Sequence, residues 1–145
     1  MSNIAFLGTG LLGAAFAEAA AKRGDTVTAW NRSPNKVFAL KQFGVIAAAS
    51  PAEAVRNASR VHLVLKDDAV VEEVLVAARS GLLPDAIIID HSTTLPILTA
   101  ARAERLNAEG VKYLHCPLYG PASGAQRTGY DDGRRTQGAF RKRQG

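Results

Sequence analysis

"IAFLGTGLLG", residues 4–13, sets three glycines directly behind a short apolar run: Gly8, Gly10 and Gly13 in a Gly-x-Gly-x-x-Gly spacing. After them come Leu11, Leu12, Ala14, Ala15, Phe16, Ala19 and Ala20, a stretch rich in helix formers. A strand, a tight turn and a helix are expected in that order. In such a unit each glycine has its own task. Gly8 allows the turn, and Gly10 lets a pyrophosphate approach the backbone where a β-carbon would collide with it. Gly13 lets the helix pack closely on the strand. Free N–H groups at the helix start, with the helix dipole behind them, favour negative charge. The same glycines would also serve a bare turn, so the context of the loop has to decide.

That context is regular. After "NIAFLG" (3–8), strand signals recur at "TVTAW" (26–30), "GVIAA" (44–48), "RVHLVL" (60–65), "AIIID" (86–90) and "KYLHCPL" (112–118). Helical signals fill the gaps. The first helix runs into Lys22, Arg23 and Gly24, basic residues and then a glycine stop. Ser33-Pro34 reads as an N-cap and first helical position, with that helix running to about Gln42 before Gly44. "SPAE" (50–53) adds a glutamate three residues after its capping serine. Asp67 and Asp68 open a helix through Ala78, and Pro96 opens another to about Glu109. Alternating elements, with strands apolar on both faces, predict helices covering both sides of a parallel sheet. The expected fold class is α/β, a doubly wound parallel sheet of the Rossmann type, over residues 1–121.

Composition narrows the function classes. At 145 residues and 47% hydrophobic, the chain suits one folded domain with a proper core. The only cysteine, Cys116, excludes an internal disulfide. No apolar run approaches the ~20 residues of a membrane span, and the N-terminus lacks a secretory pattern, so a cytoplasmic protein without a membrane partner is expected. The net charge of +5 invites a nucleic-acid partner, but its distribution argues against one. Residues 122–145 carry Arg127, Arg134, Arg135, Arg141, Lys142 and Arg143 against Asp131 and Asp132, which leaves the body of the chain nearly neutral.

The end of the second strand carries the cofactor preference. A dinucleotide site for NAD usually has Asp or Glu there, ~20 residues beyond the glycines, to accept from the ribose 2′-hydroxyl. This chain has "NRSPNK" at 31–36. Neutral Asn31 does not repel a 2′-phosphate, and the planar fork of Arg32 can grip one, with Ser33 and Lys36 close by. NADP is therefore expected over NAD, unless Arg32 and Lys36 are ordinary solvated charges. S-adenosylmethionine enzymes share a glycine-rich first loop but commonly place an acid after strand two, which Asn31-Arg32 does not supply.

"GTGLLG", "NRSPNK", "DHSTT" (90–94) and "HCPLYGPASGA" (115–125), in that order, resemble the 3-hydroxyisobutyrate or β-hydroxyacid dehydrogenase family, relatives of 6-phosphogluconate dehydrogenase. The resemblance covers roughly residues 3–125, the dinucleotide-binding domain of that family. It implies hydride transfer between NAD(P) and a small hydroxy acid or aldehyde, or an imine in one branch. It assigns the pyrophosphate to Gly8, Gly10 and Gly13, places Leu11 and Leu12 among the cofactor-binding residues, and gives the adenosine ribose and its phosphate to Asn31 and Arg32. Leu65, Lys66 and Asp67 match the segment lining the cofactor. Ser92 and Thr93 match the pair beside nicotinamide and substrate, although hydroxyls just before Pro96 would also suit a helix cap. The likeness frays after strand six. Where the family has "DAPVSGG" this chain has His115, Tyr119 and Pro121 in place of the aspartate, the serine and the second glycine, and proline removes an N–H. A lone histidine in a strand is more often structural than a general acid.

The family's proton donor is a lysine on the long helix that follows this domain, and an all-helical second domain then closes the pocket. Residues 122–145 have no apolar stripe for such a helix and read as a disordered basic tail; Lys142 lacks a scaffold there. The all-helical domain is thus expected to be absent, leaving a truncated, inactive NADP(H)-binding module. A frameshift would explain the abrupt change, since codons for Tyr130-Asp131-Asp132 can read as Met-Met in the neighbouring frame.

Overall fold

The computed structural model describes residues 2–117. The basic tail, Tyr119 and Pro121 lie outside those residues. Six strands form one parallel sheet: β1 (Asn3–Leu7), β2 (Thr26–Trp30), β3 (Ile46–Ala47), β4 (Arg60–Leu63), β5 (Ile87–Asp90) and β6 (Lys112–His115), in the spatial order β3-β2-β1-β4-β5-β6. Helices α1 (Leu11–Lys22), α2 (Pro34–Phe38), α3 (Pro51–Val55), α4 (Asp68–Ala78) and α5 (Pro96–Ala108) alternate with them. The chain grows outward from β1 to β3, then crosses back and grows the other way from β4. This reversal puts a crevice at the carboxyl ends of β1 and β4, the place where open α/β sheets bind ligands. The fold is the doubly wound, Rossmann-like sheet expected from the sequence.

Alternation along β1 splits the core in two. Ile4 and Phe6 face α1 and pack with Ala17, Ala20, Val27, Ala29, Val37 and Leu40. Ala5 and Leu7 face the other way, onto Val55, Val61, Leu63, Val71, Val74 and Ile88. Each buried branched side chain contributes about 1.5–3 kcal/mol, so both faces are needed to hold the sheet. The capping signals act as expected at two helices. Ser50 Oγ accepts from Glu53 N at 3.2 Å, and Glu53 Oε1 reaches back to accept from Ala49 N at 3.0 Å. Asp67 caps α4 by accepting from Val70 N at 3.0 Å.

Several boundaries differ from the sequence reading. Strand four ends at Leu63 instead of residue 65, because Leu65 N turns away to donate to Ser92 Oγ at 2.9 Å. Strand six ends at His115 instead of 118: Cys116 N still donates to Asp90 O at 2.8 Å, but Pro117 has no N–H to extend the ladder. The helix expected to reach Gln42 stops at Phe38 and tightens into a separate 3₁₀ turn at Lys41–Phe43. Ser33 stands at the N-cap of α2 without a side-chain capping bond. No helix among the described residues is long and apolar enough to cross a membrane.

Candidate dinucleotide site

The glycine loop lies against backbone at two of its three glycines. Gly8 has φ +101°, and a β-carbon on it would lie 2.2 Å from Val64 O. A β-carbon on Gly13 would lie 2.3 Å from Gly8 O. These two glycines are required by the fold itself. Gly10 is different. Its φ of −65° and ψ of −169° suit any residue, and among the described residues nothing beyond its chain neighbours lies within 4 Å of where its β-carbon would be. Among the described residues no packing reason for glycine exists at this position, and the space above it is open.

That open space lies at the start of α1. The first turn contains no acid, and Gly10 provides no side-chain cap, so the leading N–H groups stay available. Leu11 is 92% exposed beside them. Thr9, inside the loop, is buried, and its Oγ1 has no hydrogen-bond partner among the described residues. An uncapped helix N-terminus, an orphaned hydroxyl and a vacant approach over Gly10 fit the pyrophosphate of a dinucleotide.

At the end of β2, Asn31 fastens this loop. Its Oδ1 accepts from Thr9 N at 2.9 Å, and its Nδ2 donates to Ser33 O at 3.2 Å. Arg32 Nη2 stands 3.0 Å from Glu73 Oε2 of α4, with both side chains exposed. Ser33 and Lys36 are exposed on the same edge. Across β1, Leu65 is half-buried, and Lys66 and Asp67 are exposed.

Ser92 and Thr93 have distinct surroundings. Ser92 is 2% exposed and works as a strut. Its Oγ accepts from Leu65 N, its own N–H donates to Asp90 Oδ1 at 2.9 Å, and His115 Nε2 donates to its carbonyl at 2.9 Å. His115 is thereby engaged with backbone. Thr93 is exposed and lines a cleft of about 700 Å³ with Asp67, Asp68, Thr94, Leu95 and Leu98. Helix α5 takes no side-chain cap from the hydroxyls before it; its N-cap is Leu95, whose N–H donates to Asp68 Oδ2 at 2.9 Å. That bond and the Arg102 guanidinium hold the Asp68 carboxyl below its ordinary range.

Two polar clusters, one buried and one half-buried, were invisible in the sequence. Asp90, fully buried, accepts from Tyr113 OH at 2.5 Å as well as from Ser92 N. Burial, then the bond to Asp90, pushes the Tyr113 hydroxyl upward, so it stays a proton donor. Arg102, 1% exposed, lies behind Tyr113 and donates to Asp68 Oδ1 at 2.6 Å and Glu72 Oε2 at 2.7 Å. This network braces the loops after β4 and β5 against each other. On the opposite face His62 stacks on Phe6, with ring centroids 4.8 Å apart, and its Nδ1 lies 2.9 Å from His91 Nε2. His91 Nδ1 lies 3.0 Å from Cys116 O. A carbonyl only accepts, so His91 carries its proton on Nδ1 and accepts from His62 Nδ1–H.

Burial, then the charges of His91, Arg60 and Arg23, pushes His62 down to about 4 from 6.5. Below 6.5 the unfolded chain takes up a proton that the folded chain refuses, so acid favours unfolding. Stability is expected to fall by about 1–2 kcal/mol between pH 6.5 and about 4, allowing for partial exposure. Urea midpoints across that range should show a flatter profile in His62→Gln; an unchanged slope would contradict the assignment.

Comparison with known proteins agrees with this geometry. A family model described as the NAD binding domain of 6-phosphogluconate dehydrogenase matches residues 3–129. The chain is 32% identical over 122 residues to the cytokine-like nuclear factor N-PAC of Xenopus tropicalis, covering 81% of this chain and 23% of that protein. It is 30% identical over 121 residues to 3-sulfolactaldehyde reductase of Escherichia coli K12, covering 81% and 41%. The solved structure of Mycobacterium tuberculosis 3-hydroxyisobutyrate dehydrogenase with L-serine matches with a TM-score of 0.79 at 27% identity, covering 86% of this chain and 43% of that one. The chain spans between about a quarter and two fifths of the length of the two curated relatives. With the sheet order, the glycine loop and this family match in agreement, the chain belongs to the family of the NAD-binding domain of 6-phosphogluconate dehydrogenase and carries the NAD(P)-binding domain of a hydroxyacid-dehydrogenase-like protein.

Proposed function

We propose that residues 2–117 bind NADP(H) in preference to NAD(H), as the cofactor half of an oxidoreductase acting on a small hydroxy acid or aldehyde. The open space over Gly10 at the start of α1 carries the reading, because no described neighbour crowds the place of its β-carbon and forces a glycine there. Gly10, Leu11, Leu12 and Gly13 present backbone N–H groups to the pyrophosphate, and Gly8, whose own N–H donates to Trp30 O at 2.8 Å, shapes the turn that presents them. Arg32 takes the 2′-phosphate, with Ser33 and Lys36 beside it, and Asn31 fixes the loop that presents them. Leu65, Lys66 and Asp67 wall the cofactor from the β4 side. Thr93 faces the reacting end, and Ser92 positions it. When bound, the cofactor supplies or accepts a hydride; these residues orient it and hold its charge.

Arg32→Asp tests the cofactor preference. It removes a cation and adds an anion, so NADPH affinity is expected to drop on the order of 10²-fold while NADH changes by less than about fivefold. Equal losses measured by isothermal titration would contradict the assignment of Arg32 to the 2′-phosphate.

A further inference from the structure

The ion pair between Arg32 and Glu73 has no role in the fold that its surroundings explain. Arg32 leaves the carboxyl end of β2, while Glu73 lies on α4, the helix that follows β4. β2 and β4 are the two neighbours of β1. They stand about 10 Å apart, so this pair reaches across the crevice beside the glycine loop. Arg32 is 60% exposed and Glu73 67%, and an exposed pair of this kind is weak and opens readily.

The loop after β2 itself carries no carboxylate. Dinucleotide sites for NAD use an acid at the end of β2 to accept from the ribose 2′-hydroxyl. Here that position is Asn31, a neutral amide whose carbonyl oxygen accepts from Thr9 N. Glu73 Oε2, 3.0 Å from the guanidinium that would meet a 2′-phosphate, is the carboxylate paired with Arg32.

We propose that Glu73 determines cofactor specificity at the adenosine end of the crevice, competing with a 2′-phosphate for Arg32 and accepting from the 2′-hydroxyl when no phosphate is present. This rests on the dinucleotide reading above. With NADPH, the phosphate must displace Glu73 from Arg32 and then lie beside a like charge. With NADH, the carboxylate stays on Arg32 and gains a hydroxyl donor. Glu73 therefore narrows the preference that Arg32 alone would set. Because the pair is exposed and solvent-screened, the effect is moderate.

The test is direct titration of the full chain with NADPH and with NADH, comparing wild type, Glu73→Gln, Arg32→Gln and the double variant. Glu73→Gln is expected to tighten NADPH about five- to tenfold and to leave NADH unchanged or up to about fivefold weaker. In the Arg32→Gln background the gain for NADPH should shrink, because there is no guanidinium left to release. An NADPH-to-NADH affinity ratio that stays within about twofold of wild type in Glu73→Gln, with both nucleotides still bound, overturns the role of Glu73 and leaves the dinucleotide site standing. Failure of the folded wild type to bind either nucleotide overturns both.

Discussion

Gly10→Val is expected to lower affinity for NADPH at least about a hundredfold, about 2.8 kcal/mol, and to leave the protein folded. The backbone at Gly10 suits any residue, and among the described residues no atom beyond its chain neighbours lies within 4 Å of the added β-carbon, so the described fold leaves that carbon uncrowded. Its cost to the fold is the loss of a favourable N-cap residue, less than about 1 kcal/mol. The added carbons occupy the space through which a diphosphate reaches the N–H groups of the first turn of α1. Titration gives the affinity and urea unfolding gives the stability; a variant that binds NADPH normally would place the phosphates elsewhere.

Gly8→Ala is expected to show the opposite pattern, a loss of stability above about 4 kcal/mol. Gly8 combines a left-handed φ of +101° with a virtual β-carbon 2.2 Å from a backbone carbonyl oxygen, so neither rotation nor a side-chain shift relieves the clash. Against a typical total of about 5–15 kcal/mol, this brings the chain close to unfolding. Urea unfolding monitored at the single tryptophan, Trp30, reads the effect. Wild-type stability in Gly8→Ala would mean that the loop takes another path over β1. The two glycines thus separate a residue demanded by folding from one that the fold leaves free.

Local signals made much of this legible in the sequence. "TVTAW" marks β2 with both ends correct, because a β-branched run lies between a glycine turn and a proline-initiated helix. Ser50 with Glu53, and Asp67, announce their helices through side chains acting within four residues. The contacts that brace the site were not legible, because parallel crossovers set them. Asp90 meets Tyr113, and Arg102 meets Asp68, only after α5 has returned the chain to the sheet. His62 and His91 occupy separate segments with no shared pattern, and the register between β4 and β5 makes them neighbours. The resemblance sets Ser92 beside nicotinamide and substrate, and no pattern in the sequence announces that its hydroxyl also accepts from Leu65 N, a contact that the turn of the backbone after Leu63 makes possible.

The central claim is that backbone N–H groups at the mouth of α1 grip a diphosphate. Amide chemical shifts of the ¹⁵N-labelled full chain during an NADPH titration test it most directly. The largest shifts are expected at Thr9, Gly10, Leu11, Leu12 and Gly13, with a second group around Arg32. Saturable shifts confined to other parts of the sheet edge, with the glycine-loop amides unmoved, would contradict it.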